Sequence, residues 1–564
     1  SGTQTLENQS QRNIDRLLVL AEPGLVVEKL VLSSAATIES VTPELNATEF
    51  RLAKALRPNE RIQLEFVTSY APPEGFSVHA KNDGAPEVLP VELIGNGSSL
   101  LNLQLMPAVG YSDRIEHKPR WKRRKFGLKE LWTPPPFEAG KLEAHSTAHL
   151  GWVDNVDMTI RTDADQTVLH AGKLVRRWTE EDGRQAFHFV MDKRNRGWSV
   201  ILSGRYGKQR FQQDGLPEVT MVYDPRHTFV INEFAHQLHS AMAHFVSRYG
   251  PAPFDTFQMA EQSLHYDGLG ARSGLAFATE ILGWKSDLSA SRGEDLAQMS
   301  AHLMGMSWFG DQIITANAPG AKILHAGLPY WSAALYLHQR REPEVDRRLR
   351  LQEMMELFRS RSSMADEEVA FSEEIKDSTI LRGKGAILMV YLASLIGPEN
   401  LESIFAEFLE TWRHRPAPYP TSRDFLEHLK NSVDENFHAQ IADIFERVTT
   451  WRLEGIAANC EPTSDGRWKL TAEIDAAKFI TSGEGLETEV PLDTPVWLHA
   501  FRGHDFAEDD LIESRLESLK SGRSTVEWFL DHKPTRFGID SYLMLPDRNP
   551  HNNVLPISGT SDGN

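Results

Sequence analysis

The stretch His302-Leu303-Met304-Gly305-Met306-Ser307-Trp308-Phe309-Gly310-Asp311 decides how this chain is read. Residues 292–311 have the periodicity of a helix. Positions four apart share a helical face, so His302 and Met306 point the same way. Two imidazoles at that spacing, with a Glu directly after the first, make the H-E-x-x-H pattern that holds zinc and activates its water. Here only the first imidazole is present. Leu303 occupies the Glu position and Met306 the second His position. A catalytic zinc takes three protein ligands of N or O type plus a water, and a thioether is a soft, weak substitute. Leu303 cannot accept a proton from water, and general-base assistance is worth about 10²–10⁴-fold.

Composition bounds the rest. A chain of 564 residues is expected to hold several domains. Its formal net charge of −19 argues against a nucleic-acid binder or a general binder of anionic membranes. One cysteine, Cys460, excludes an internal disulfide, which fits either cytosol or a bacterial periplasm. No apolar run reaches the ~18 residues needed to span a bilayer, and no signal peptide opens the chain. Ser1-Gly2-Thr3 is compatible with a cloning remnant, and so with membrane segments cut away.

Three regions follow from the hydrophobic period. Residues 25–225 read as short strands, such as Leu25–Leu32 and Arg61–Val67, with a loop at Leu56–Glu60 and turns at Pro72-Pro73-Glu74-Gly75 and Asn96-Gly97. Within them Lys118-Pro119-Arg120-Trp121-Lys122-Arg123-Arg124-Lys125-Phe126-Gly127-Leu128 is a basic cluster. It could meet an acidic partner or lipid headgroups, but a solvated loop is the commoner fate of such a charge run. From 226 the pattern turns helical. Phe234–Phe245 is apolar at helical spacing, and Tyr249-Gly250-Pro251-Ala252-Pro253-Phe254 breaks it. His236 and His239 lie one turn apart with no third ligand at matching spacing, so they read as ordinary histidines. Residues 321–341 form a second helix, 345–362 a charged amphipathic surface helix, and 387–392 a buried one. Tyr419–Phe425 starts another, with Thr421 or Ser422 able to cap it. After Trp451 alternation returns in Trp468–Ile474, Val496–Phe501 and Thr525–Leu530, the pattern of a small β-sandwich.

Together these landmarks resemble the membrane alanyl aminopeptidase (gluzincin) family. Ser307-Trp308-Phe309-Gly310-Asp311 is similar to that family's exit from the zinc helix, and Tyr249–Phe254 to its F-G-P-x-P-[YF] entry. The family's third ligand, a Glu nineteen residues beyond the second His, falls here on His325. The Glu of its G-A-M-E-N motif, which grips a substrate's free amine, falls on Ala271 in Gly268-Leu269-Gly270-Ala271-Arg272. The transition-state Tyr of Y-x-K-G falls on Arg382, ahead of an intact Lys384-Gly385. The basic cluster after Gly110-Tyr111, Tyr419–Phe425, and Phe537-Gly538-Ile539-Asp540-Ser541-Tyr542 with Leu545–Asn549 resemble one branch. In that branch the peptidase-like domain is fused to a bacterial ABC transporter permease and faces outside the cytoplasm.

The resemblance implies a multidomain α+β protein. Its expected layout is an N-terminal β-saddle domain over 1–225, a thermolysin-like, mostly helical domain over 226–455, a C-terminal β-sandwich over 456–557, and a disordered tail over 558–564. The substitutions imply a pseudopeptidase with no catalytic residue, no cofactor and no expected metal; His302, Leu303, Met306, His325, Ala271 and Arg382 are vestiges. The implied partners are a peptide or protein in the interdomain cleft and permease membrane segments in the full-length chain. The implied location is periplasmic or otherwise extracytoplasmic. Three alternatives stand beside this. One is an active metallo-aminopeptidase with altered ligands, using His302, His325 and a carboxylate such as Glu294 or Asp295. Another is a copper site of His302, Met306 and His325, with Met299 and Met304 nearby. The last is a structural scaffold.

Overall fold

The computed structural model describes residues 1–22, 24–70, 92–94, 96–101, 105–110, 120–129, 135–142, 152–153, 155–192, 195–196, 200–262, 269–272, 274–279, 284, 290–363, 368–373, 380–482, 485–503 and 505–557. The predicted turn at 72–75, residues 111–119 of the basic region and the tail 558–564 lie outside them. The chain forms two compact units that alternate along the sequence. The first comprises Ser1–Lys118, Leu131–Ala321 and Leu409–Thr421; the second comprises Pro119–Glu130, Lys322–Phe408 and Ser422–Asn564. Ten helices run through the described residues: α1 (Arg120–Lys125), α2 (Phe137–Leu142), α3 (Ile231–Tyr249), α4 (Ala290–Gly305), α5 (Leu328–His338), α6 (Pro343–Ser363), α7 (Gly385–Ile396), α8 (Pro398–Trp412), α9 (Ser422–Asn431) and α10 (His438–Phe445). With many sheets beside them, the protein is multidomain α+β.

The first unit opens with strands, as the alternation predicts. In Arg61–Ser69, Ile62, Leu64 and Phe66 turn inward while Arg61, Gln63 and Glu65 turn out. Ile62 and Leu64 join Leu17, Val19, Leu32, Phe50, Leu52 and Leu56 in one core shared by a three-stranded and a four-stranded sheet. The predicted loop at Leu56–Glu60 is a tight turn in which Asn59 takes a left-handed φ of 64°. Further along lies a five-stranded sheet in the order Gly207–Phe211, Glu218–Tyr223, Thr256–Gln262, Leu275–Thr279, Leu269–Arg272. Its two inner pairings are parallel and its last strand is an antiparallel edge. Parallel strands are covered on both faces, which explains why Val219–Val222 are all buried. Helix α3 packs on Glu218–Tyr223 and on α4. Its buried side chains Phe234, Leu238, Ala241, Met242 and Phe245 recur at the helical period.

The second unit is built on α7, whose Gly385–Ala393 are all buried. A helix apolar on every side belongs in a core, and α5 packs against it. Among the described residues no single helix is long and apolar enough to cross a membrane. The pair Ile380–Ile396 and Pro398–Trp412 has the composition but bends by 112°. Helix α6 is amphipathic, as predicted, with Glu344, Arg348, Gln352, Met355 and Arg359 exposed. Asp346, Arg350, Met354 and Leu357 are buried along one stripe at spacings of four, four and three. Half of that stripe is charged, so hydropathy alone does not outline it. Two four-stranded sheets follow α10. In one, the long strand Trp468–Thr481 pairs with Thr449–Pro462 on one side and with Glu487–Val490 and Gly522–Leu530 on the other. The other runs Leu511–Lys520, Asp493–Phe501, Arg536–Ile539, Val554–Pro556. The basic segment predicted as a loop is helical at Arg120–Lys125 and belongs to this second unit.

Candidate functional site

The positions singled out in the sequence fall into two groups, one in each unit. In the first unit, α4 carries His302 and Leu303 and ends at Gly305. The chain then widens into a π-helical turn over Met306–Gly310, closed by Asp311 N–H donating to Met306 O at 3.0 Å. Ser307 Oγ donates back to Leu303 O at 2.9 Å, a bond that competes with the regular helical ladder. His302 and Met306 are partly exposed, whereas Leu303 has 0% of its surface in contact with solvent.

The motif that enters this region and the motif that leaves the helix meet. Trp308 Nε1 donates to Gly250 O at 3.2 Å. The Trp308 ring lies 5.5 Å from that of Phe245 and 5.8 Å from Phe254, and Tyr249 meets Phe309 at 5.1 Å. Such edge and tilted ring contacts add about 0.5–1.5 kcal/mol each beyond area burial. Ala271 sits on the edge strand Leu269–Arg272, paired with Ala276 and 0% exposed. That strand packs against α4 and against the Met306–Gly310 turn. The structure therefore brings Ala271, His302, Leu303 and Met306 into one neighbourhood.

In the second unit, His325 lies in another π-helical turn, Ile323–Gly327, and Arg382 in a third, Ile380–Lys384. The two turns pack on each other. Gly385 is required by close approach: a Cβ there would collide with the Trp331 indole, whose Nε1 donates to Leu381 O at 3.0 Å. Lys384 is buried and bonded to Glu368 at 2.9 Å, and Glu368 also holds Arg361 at 2.7 Å. Burial pushes the Lys384 ammonium down, and Glu368 pulls it back. Arg382 reaches Glu356 at 3.8 Å with both side chains over 40% exposed, so solvent screens the pair. Tyr330 is pushed up by burial and drawn down by the Arg382 charge.

Sequence reading missed two titratable groups. Glu353 on α6 is pushed to about 7 by burial, against the opposing pull of Arg341, Arg382 and Arg350. It was hidden by the supposed surface character of its helix. In the first unit Glu261 is raised by burial while it accepts from Asp224 N at 2.8 Å and pairs with His227 Nδ1 at 2.5 Å. Those residues close the C-terminal ends of two parallel strands, where α/β sheets commonly place functional groups. No local motif marks them, because Glu261 lies 34 residues from His227 and 37 from Asp224.

The residues at the zincin positions do not fit a catalytic zinc. Next to His302 the helix offers hydrocarbon at Leu303 and a thioether at Met306. Among the described residues no three His, Cys, Asp or Glu side chains gather in a metal-holding group. Glu294 and Asp295 stand eight and seven residues before His302, about 10–12 Å along the helix axis. Met299 and Met304 are buried, and Met304 is fully enclosed.

No protein-family model matches the chain, and no curated protein is similar to it in sequence. Solved structures are similar in fold. The crystal structure of Legionella pneumophila aminopeptidase A in complex with aspartic acid matches with a TM-score of 0.59 at 13% identity. The match covers 97% of this chain and 56% of that one. The fold is aminopeptidase-like. The chain thus spans little more than half the length of the structure it resembles, and at this identity the likeness is one of fold alone.

Proposed function

We propose that this aminopeptidase-like chain is a pseudopeptidase: it keeps the frame of a zinc hydrolase and binds a peptide or protein without cleaving it. The observation that carries the reading is the full burial of Leu303, beside Met306, on the helix that would need a general base and a second imidazole. A leucine enclosed in this way supplies neither a base nor a path for one. Ala271, equally enclosed, removes the group that would grip a free amine. A ligand is then held by its backbone or side chains, not by its N-terminus. The edge strand Leu269–Arg272 has an antiparallel neighbour on one side only among the described strands, the kind of edge that an extended peptide lengthens. His325 and Arg382 replace the remaining functional groups in the second unit.

The similarity of the basic region, Tyr419–Phe425 and Phe537–Asn549 to the permease-fused branch supports a place outside the cytoplasm, attached to transporter segments beyond this stretch. Flanking sequence tests the attachment, since membrane segments on either side are expected and their absence removes it. Metal analysis of the purified protein, with a panel of aminoacyl and dipeptide substrates, tests the loss of chemistry. Sub-stoichiometric zinc and no turnover are expected. Stoichiometric zinc with chelator-sensitive turnover would falsify the pseudopeptidase reading.

A further inference from the structure

Residues 118–129 hold seven cations, at Lys118, Arg120, Lys122, Arg123, Arg124, Lys125 and Lys129, and no carboxylate, within a chain of net charge −19. Five of the seven, from Lys122 on, lie at the C-terminal tip of α1 and in the turn after it. Helix α1 stops because Gly127 takes a left-handed φ of 63°. Gly127 N–H donates to Arg124 O at 3.2 Å and Leu128 N–H to Arg123 O at 2.9 Å. This is the doubly bonded glycine cap that closes many helices. Arg123 is 8% exposed, and its Nε donates to Lys129 O at 2.6 Å, which fastens the returning chain to the helix.

That cap usually brings the residue after glycine against the residue five positions earlier, both apolar. Here the earlier residue is Arg123, turned to Lys129 O. Leu128 stays 43% exposed and Phe126 58% exposed, with the Lys125 ammonium 5.6 Å from the Phe126 ring. Arg124, Lys125 and Lys129 are exposed around them. Two large apolar side chains therefore stand out on a fixed turn among cations.

We propose that this tip, Lys122–Lys129, docks on a bilayer surface that contains anionic phospholipid. Cations meet the headgroups while Phe126 and Leu128 enter the boundary with the acyl chains. An acidic protein would pair with the cations alone; a lipid interface takes the cations together with the exposed apolar surface of Phe126 and Leu128. The negative balance of the remaining chain is repelled by the same surface, so the tip sets the orientation of approach. The docking holds whether or not the chain cleaves peptides.

Co-sedimentation of the whole protein with vesicles of phosphatidylcholine alone, and of phosphatidylcholine mixed with phosphatidylglycerol, tests it. Binding is expected only to the mixed vesicles. At roughly fivefold to tenfold in affinity for each surface cation, the triple variant Arg124→Gln, Lys125→Gln, Lys129→Gln should weaken partitioning by about a hundredfold or more. The variant Phe126→Ser, Leu128→Ser should lower it and remove the part of the binding that survives high salt. All replaced side chains are exposed, so unchanged thermal unfolding is expected of both variants. Binding of the wild type to both vesicle types alike, or to neither, overturns the proposal. So does equal capture by soluble polyglutamate with no effect of the Phe126 and Leu128 changes, which would mark the tip as a site for an acidic macromolecule.

Discussion

Leu303 shows how much one side chain can exclude. Its side chain has no contact with water, so the position belongs to the hydrophobic core. Restoring the missing acid should therefore fail. Leu303→Glu places an unpaired carboxylate in hydrocarbon and should lower stability by ~3 kcal/mol or more. The protein should gain no zinc with it. Urea unfolding and metal analysis of the variant check both points; an undiminished midpoint would mean that the site is wetter than its burial implies. Trp308 illustrates the opposite case. In the sequence it stands only as part of the helix exit, yet its bond to Gly250 and its packing on Phe245 and Phe254 join two distant motifs.

Helix α6 and the three widened turns carry the lesson at the level of elements. The turns fall on Met306, His325 and Arg382, the three positions where the resemblance places a second ligand, a third ligand and the transition-state tyrosine. Turns of this kind are rare and often mark functional sites. Nothing in residue periodicity announces an i→i+5 bond, so the sequence could locate the positions but not the widening. In α6 the buried stripe is held by charge. Asp346 accepts from His338 Nδ1 at 2.6 Å and from Arg350, while Arg350 Nε donates to Tyr542 O at 2.6 Å. Burial alone would raise the Asp346 carboxyl, but the His338 hydrogen bond and the Arg350 charge hold it at about 2. A lowered carboxylate adds stability above its ordinary pKa of about 4 and loses it as pH falls toward 2. Asp346→Asn should cost about 3–5 kcal/mol near neutral pH, because Arg350 is left buried without its partner. The deficit against wild type should shrink below about pH 4, as read by urea midpoints across that range.

Across the second unit as a whole, the Phe537–Tyr542 signature works as a fastening. Arg347 Nε donates to Ser541 O at 2.7 Å, and the Arg347 guanidinium stacks 4.0 Å from the Phe506 ring centre. Asp540, with φ 45°, accepts from Met544 N at 2.9 Å and Leu545 N at 2.8 Å. Burial nevertheless pushes its carboxyl up to about 7, against those two bonds and the Arg350 charge. Glu353 is raised to a similar value. A raised carboxyl is protonated in the fold while it is ionised in the unfolded chain. Its stabilising effect is complete below about pH 4 and is lost as pH rises to about 7. Wild-type urea midpoints should accordingly fall between about pH 5 and 7. Asp540→Asn, which tolerates the same backbone conformation, should flatten that fall; an unchanged slope would assign it to other groups.

The sequence by itself determined the period of each region, the aminopeptidase-like frame and which residues stand at the H-E-x-x-H positions of the resemblance, because hydrophobic spacing and the identity of donor atoms are local properties. It marked Gly385 as a landmark without the reason, which is the indole of Trp331 pressed against it. Only the tertiary structure decided that Leu303 is enclosed, that burial raises the Glu353 and Asp540 carboxyls to about 7, and that the buried stripe of α6 is half ionic. Burial and charge pairing depend on residues far away along the chain, such as Tyr542 against Arg350, and no local pattern encodes those meetings.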